Sequence, residues 1–113
     1  MKKLLAVLVV LLASTAQAHH GWSEYDAQRP LELRGTIEAS GYENPHGTVR
    51  IKTADKTWLV VLAPPARMES RGLAKAALAK GTPVTVVGYQ HRSTPDELRA
   101  ERITIGAATT ELR

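Results

Sequence analysis

Four histidines are the residues of this chain best suited to chemistry, and two of them, His19 and His20, are consecutive. They follow Ala16-Gln17-Ala18, which has the small-x-small pattern of a signal peptidase site. Cleavage after Ala18 would leave His19 with a free α-amino group. That amine and the Nδ1 atom of the same residue can chelate one metal ion. The ordinary pKa of an α-amine, about 7.7–8.0, lets a metal displace its proton near neutral pH.

A second imidazole would complete a T-shaped site of three nitrogens, which suits the tetragonal preference of copper(II). Such a site is similar to the histidine brace of exported copper proteins. His46 lies in the turn Asn44-Pro45-His46-Gly47, from which it could swing toward an N-terminal arm. The expected metal ligands are therefore His19 and His46, with His20 in support. Local hydrogen bonding of His46 within its turn is the alternative, and His91 is expected to be a solvated loop histidine.

The first residues predict export. Met1-Lys2-Lys3 supplies the positive start of a signal peptide, and residues 4–13 form its apolar run. This run is about half as long as a membrane-spanning helix, which needs about 20 residues. The predicted signal peptide is 1–18, the predicted mature chain is 19–113, and no membrane span is expected after cleavage. The predicted location is the periplasm of a Gram-negative bacterium, or outside the cell.

Short strands must position the histidines. Alternation of apolar and polar residues, broken by glycine and proline, predicts five strands with a short helix between the third and fourth. The predicted strands are 31–39, 48–53, 57–63, 84–90 and 98–105, with helical residues between Pro65 and Gly81. This order predicts a mainly β fold, an OB-fold-like five-stranded Greek-key barrel. A small open β-sandwich is the alternative.

The flanking segments carry less pattern. Residues 19–30 are predicted to form an extended N-terminal arm, with Trp22 and Tyr25 anchoring it to the barrel. Residues 107–113 are expected to add a short edge strand or to fray. The prediction is a single domain over 19–113.

Other chemistry finds little support in the residues. The chain has no cysteine, which excludes disulfides and thiol chemistry. No serine lies in a nucleophile-elbow motif, and the acidic and basic residues between Asp96 and Arg102, including Glu97, Arg99 and Glu101, are typical of a solvated strand face. The formal net charge of +4 is modest and there is no phenylalanine, so nucleic-acid binding is not expected. The sequence predicts a protein that is not an enzyme.

Several short motifs together resemble one family of exported bacterial proteins. They are Ala18-His19-His20-x-Trp22, Tyr25-Asp26, Leu33-x-Gly35-Thr36-Ile37, Asn44-Pro45-His46, Trp58, Gly72-Leu73 and Gly81-x-x-Val84-x-Val86-x-Gly88. The chain resembles the family named domain of unknown function 6152. The resemblance implies an exported single β domain and carries no activity. One departure is Gln90-His91-Arg92, where the family pattern suggests an arginine directly after the strand.

Two functions remain as expectations. The first is a small periplasmic or secreted binding or interaction module, with an unknown periplasmic protein as its partner and no certain cofactor. The second is a copper(II)-binding protein that uses His19, His46 and His20. A free N-terminus separates them, because the copper site requires it and partner binding does not.

Overall fold

Six strands, one α-helix and two 3-10 turns make up residues 21–113, the part of the chain that the computed structural model describes. The strands are β1 (Tyr25–Gly41), β2 (Thr48–Lys52), β3 (Thr57–Val61), β4 (Pro83–His91), β5 (Glu97–Ile105) and β6 (Ala108–Glu111). Helix α1 (Pro65–Ser70) lies between β3 and β4, and the 3-10 turns are Trp22–Glu24 and Lys75–Leu78. The predicted order of strands and helix is confirmed, and the tail forms the short edge strand β6.

Five of the strands close into a ring. The sheet order is β3-β2-β1-β4-β5-β6, and a parallel pairing of β3 with β5 joins its two sides. This pairing distinguishes a barrel-like ring from the open β-sandwich. Strand β1 is long enough to pair with β4 along its first part and with β2 along its last part, with a bulge between Ile37 and Ala39. The OB-fold-like prediction is therefore confirmed.

The first part of β1 falls within the segment predicted as an N-terminal arm. Tyr25 pairs with His91 and Pro30 with Tyr89, with an irregular register between these pairs. Only Tyr25 is buried among residues 25–30, so no alternation marks this stretch as a strand. The arm residues 19 and 20 lie outside the described part of the chain.

The connection from β3 to β4 closes one region of the core. Pro65 occupies the first turn of α1, where its missing N–H is not needed. Gly72 has a φ of 86°, and the Leu73 N–H donates to the Met68 carbonyl at 2.8 Å, as in a Schellman ending. Both Met68 and Leu73 are thereby buried. Of the helical residues predicted between Pro65 and Gly81, the first stretch is α1 and the second is a 3-10 turn at Lys75–Leu78.

Alternate residues of each strand fill the ring. The buried side chains include Ile37, Val49, Ile51, Val60, Val86, Leu98, Ala100 and Ile103. The intervening residues therefore lie on the outer face of the barrel, because successive strand side chains point to opposite faces. Within residues 21–113, no helix is both long and apolar enough to cross a bilayer.

Candidate functional site: a polar cavity on the outer face of the barrel

The pairing of the strands brings four residues of four different strands into one row on the outer face. Thr48 of β2 lies opposite Val61 of β3, and Val61 lies beside Arg99 of β5. Arg99 lies opposite Tyr89 of β4. The row depends on the parallel β3–β5 pairing, so residues far apart in the chain become neighbours only when the ring closes.

Arg99 is buried although it lies on the outer face. Its exposed fraction is 5%, and its guanidinium carbon lies 4.5 Å from the centroid of the Trp22 ring. The Arg113 guanidinium lies 4.5 Å from the same ring, and Tyr89 meets Trp22 edge-on at 6.1 Å. The 3-10 turn at Trp22–Glu24 thus covers β4 and β5. Burial lowers the pKa of Arg99 by desolvation, but a guanidinium remains charged at neutral pH.

His46 approaches the same guanidinium from the loop between β1 and β2. Its Nε2 lies 3.3 Å from Arg99 Nη2. Because a guanidinium can only donate, Nε2 accepts and a neutral His46 ring carries its proton on Nδ1. Tyr42 tethers the start of this loop, since its hydroxyl donates to the Leu73 carbonyl at 2.6 Å.

Tyr25 fixes the carboxylate of Glu97. The phenol donates to Glu97 Oε2 at 2.5 Å, and the Tyr25 side chain is buried at the start of β1. Burial raises the pKa of Tyr25 well above its ordinary value, and the hydrogen bond and negative charge of Glu97 act in the same direction. Tyr25 therefore stays protonated and holds one carboxylate oxygen in place.

His91 is held by its own turn. Its Nδ1 accepts the backbone N–H groups of Ser93 at 3.1 Å and Thr94 at 3.0 Å. The neutral ring therefore carries its proton on Nε2, which lies 3.7 Å from Glu24 Oε2. The ring also meets Tyr25 edge-on at 5.1 Å. The prediction of a solvated loop histidine is wrong, because Tyr25 and Glu24 cover the end of β4.

These side chains surround a cavity of about 380 Å³. It lies between the β1–β2 loop and the ends of β4 and β5. Its lining residues are Glu24, Tyr25, Pro45, His46, Thr48, Val61, His91, Glu97 and Arg99. Arg99 contributes hydrogen-bond donors to the lining, and the Glu24 and Glu97 carboxylates contribute acceptors. The arrangement can therefore recognise a small polar ligand by charge and hydrogen bonding.

Of the three predicted metal ligands, one lies in the described part of the chain. His46 lies in the cavity wall, whereas His19 and His20 lie outside the described residues. Among residues 21–113, no group of three or more histidine, aspartate or glutamate side chains is arranged to hold a metal ion. The predicted pairing of His19 with His46 therefore stays a prediction.

The interpretation of residues 96–102 as a solvated strand face is wrong for Glu97 and Arg99. Both line the cavity, and Arg99 is among the buried residues. The interpretation describes Arg102 better, since this residue pairs with Glu111 at 3.0 Å on an exposed face. The predicted OB-like order could have indicated this position of Arg99. That order implies that β3 and β5 are neighbours, and their pairing brings Val61 beside Arg99.

The fold and the cavity define this protein as a small barrel-like β domain with a polar recess on its outer face. The chain belongs to the family of unknown function DUF6152, whose model matches residues 6–98. The family resemblance predicted from the motifs is confirmed. None of the curated proteins is significantly similar to this chain.

Solved structures of one larger protein share the fold. The complex of TiaS with an isoleucine tRNA, AMPCPP and agmatine is 24% identical with a TM-score of 0.54, covering 72% of this chain and 19% of that one. Apo TiaS, a tRNA agmatidine synthetase, is 22% identical with a TM-score of 0.51, covering 78% and 19%. The chain thus spans about a fifth of the length of these TiaS chains, and the likeness concerns the fold alone.

Proposed function

We propose that this protein is an exported binding module that holds a small polar ligand in the cavity on its outer face. The observation that carries the proposal is the buried Arg99 guanidinium in the cavity wall, stacked on Trp22. Folding places this charge in a fixed position before any ligand arrives, which lowers the ordering cost of binding. The OB-like fold adds only an analogy, because function depends on the site and not on the fold.

Binding without catalysis is part of the proposal. Tyr25 uses its hydroxyl to hold Glu97, and His91 uses Nδ1 to hold its own turn. The Ser93 hydroxyl lies 3.3 Å from His91 Nδ1, but that nitrogen already accepts two backbone N–H groups, so it is poorly placed to activate a nucleophile. These groups therefore act as a rigid polar wall. The proposed location is the periplasm or the cell exterior, supported by the signal-like residues 1–18.

Nuclear magnetic resonance of the naturally processed protein tests this proposal. A panel of small acids, bases, zwitterions and neutral polar compounds is added, and backbone amide shifts are recorded. We expect at least one class to shift His46, Glu97 and Arg99 together, and Arg99→Gln to abolish the response. Arg102→Gln, on the same strand but away from the cavity, should respond like the parent protein. A panel that leaves all cavity residues unshifted would contradict the proposal.

We propose copper(II) binding as the second candidate function. It is supported by the position of the first described residues. Glu24 and Tyr25 line the same cavity as His46, and Trp22 lies against Arg99 in the cavity wall. His20 is two residues from Trp22, and an extended chain spans at most about 3.3–3.6 Å per residue. The N-terminal amine and ring of His19, with His46 and support from His20, would form the copper site. His46 would have to exchange its contact with Arg99 for the metal.

A copper(II) titration followed by electron paramagnetic resonance tests the second candidate. The processed protein should bind one copper ion with a nitrogen-rich axial spectrum. One extra residue before His19 should remove that spectrum, and His46→Gln should change it. His91→Asn serves as the control histidine substitution. Weak binding that ignores the added residue would exclude this site and leave the small-ligand proposal in place.

A further inference from the structure

We propose that the cavity selects a small zwitterion, such as a free amino acid, by binding its carboxylate at Arg99 and its ammonium group at Glu97 and Glu24. This inference rests on the proposed binding function and names its ligand class. The cavity lining includes Arg99 and Glu97, which are two residues apart on β5, and Glu24 from the first 3-10 turn. Each charged end of the ligand would therefore meet a group of opposite sign.

The carboxylate side is organised around the Arg99 guanidinium. The Trp22 ring, whose centroid lies 4.5 Å from the guanidinium carbon, and the His46 contact at 3.3 Å hold the guanidinium in position. A guanidinium held in position can present paired N–H donors to a carboxylate, which a lysine ammonium does not match. Thr48, which is in the same row across the strands as Val61 and Arg99, also lines the cavity.

The proposed ammonium-binding side of the cavity is formed by Glu97 and Glu24. Glu97 precedes Arg99 by two residues on β5, so their Cα atoms are about 6.6 Å apart along the strand. The Tyr25 hydroxyl positions Glu97 Oε2 at 2.5 Å. Glu24 lines the same cavity and lies 3.7 Å from His91 Nε2. An ammonium group between these two carboxylates would gain hydrogen bonds and charge attraction.

The mixture of charges argues against ligands of a single sign. A dianion would meet the two glutamates, and a dication would meet Arg99. A neutral ligand would displace water from charged groups without replacing its interactions. Pro45 and Val61 leave an apolar part of the wall for a side chain. The volume of about 380 Å³ is near the small end of ligand pockets, which range over about 300–1,000 Å³.

Four leucine derivatives of similar size separate the charge requirements. Leucine carries both charges, leucinamide only the ammonium group, N-acetylleucine only the carboxylate, and N-acetylleucinamide neither. Each is titrated into the naturally processed protein at pH 7, with binding measured by calorimetry and located by amide shifts. We expect leucine to bind at least about tenfold more tightly than each analogue, because each loses at least one charge-assisted interaction worth about 1.4 kcal/mol or more, and N-acetylleucinamide loses both.

Two substitutions should each weaken one interaction, either with the ligand carboxylate or with its ammonium group. Arg99→Gln should weaken leucine to the level of leucinamide, and Glu97→Gln should weaken it to the level of N-acetylleucine. Arg102→Gln and Glu111→Gln are the matched controls, since that pair is exposed and outside the cavity. If Arg99→Gln does not fold, Arg99→Lys keeps the charge without the paired donors, and Glu97→Gln still tests the ammonium side.

The outcomes distinguish this inference from the proposed function. Equal affinity for leucine and N-acetylleucine, with shifts at the cavity, would overturn the zwitterion inference and leave an anion-binding module. Equal affinity for leucine and leucinamide would overturn it in favour of a cation site. Absence of cavity shifts with these four probes and with the wider panel would overturn both proposals.

Discussion

The Arg99 guanidinium lies 4.5 Å from the centroid of the Trp22 ring, and this contact joins the first described turn of the chain to strand β5. A second guanidinium, from Arg113, lies at the same distance from the ring. An aromatic face attracts a cation more strongly when water is excluded, and Arg99 is almost fully buried. Trp22 therefore both covers the cavity arginine and fixes the segment that carries Glu24.

Replacing Trp22 with alanine should destabilise the fold. The cation–π contacts and the apolar cover are both lost, and we expect the free energy of unfolding to fall by about 1–2 kcal/mol. Trp22→Phe should lose less, because it keeps an aromatic face. Urea denaturation followed by circular dichroism gives the values, and Trp58 remains as a fluorescent probe. An alanine variant as stable as the parent would show that the stacking contributes nothing to stability.

Tyr25→Phe should change the pH dependence of stability. The folded-state pKa of Tyr25 is raised by burial and by Glu97, above the unfolded value of about 10. The unfolded chain therefore releases this proton more readily. The stabilisation is complete below pH 10 and falls as the pH rises above it. The phenylalanine variant should be less stable by about 1 kcal/mol at neutral pH and should lose less stability in alkali.

Thermal melts between pH 7 and pH 11 measure this difference. Tyr42 and Tyr89 also have raised pKa values, Tyr42 mainly through burial and Tyr89 mainly through its hydrogen bond to Glu101. Both remain in the variant, so only the difference between the two proteins reports on Tyr25. If the melting temperatures of parent and variant fall in parallel across the alkaline range, the raised pKa of Tyr25 does not contribute to the pH dependence of stability.

Much of the barrel could be predicted from local pattern, whereas its site could not. Alternation locates β2 to β5 within about two residues, because each buries one face. The first part of β1 lacks alternation, so local pattern does not identify it as a strand. The residues that line the cavity come from five strands, the β1–β2 loop and the first 3-10 turn. They become neighbours only when the ring of strands closes.

Arg99 shows why the strand-face interpretation fails. Glu97 and Glu101 lie two residues away on either side of Arg99, and an arginine between two glutamates on one strand face is usually solvated. The cover comes from Trp22, far away in the chain, so no local pattern reveals the burial. His46 is recognisable from its residue type and turn, but its contact with Arg99 again requires the tertiary fold.

Gly88 allows β4 and β5 to approach closely, and Gly88→Ala should be severely destabilising. A Cβ atom there would lie 2.1 Å from the Arg99 carbonyl oxygen and 2.8 Å from Ala100 Cα. Backbone must shift to relieve this overlap, so we expect a loss of about 3 kcal/mol or more. Denaturant melts measure the loss, and weakened ligand binding should accompany any residual fold because β5 carries Arg99.

Gly41→Ala is the matched glycine control. Its Cβ would meet only the Thr48 side-chain hydroxyl, at 3.2 Å, which can rotate away. We expect a change below about 1 kcal/mol. Equal losses from the two substitutions would show that general effects of replacing glycine, and not the close approach of β5, dominate.

His91 should act mainly as an acceptor for its own turn. Its Nδ1 receives the Ser93 and Thr94 backbone N–H groups, a role that an asparagine side-chain oxygen can also fill. His91→Ala should lower the free energy of unfolding by about 1–2 kcal/mol, through these bonds and the lost packing on Tyr25. His91→Asn should restore about half of that loss, since the ring contact with Tyr25 remains absent.

Hydrogen exchange separates the two roles of His91. Amides of Ser93 and Thr94 should exchange faster in the alanine variant and regain protection in the asparagine variant, while both variants should perturb Tyr25 equally. Denaturant melts supply the corresponding stabilities. If asparagine fails to restore amide protection although the protein stays folded, the turn does not depend on the His91 acceptor, and the orientation of the ring toward Glu24 must come from packing against Tyr25 alone.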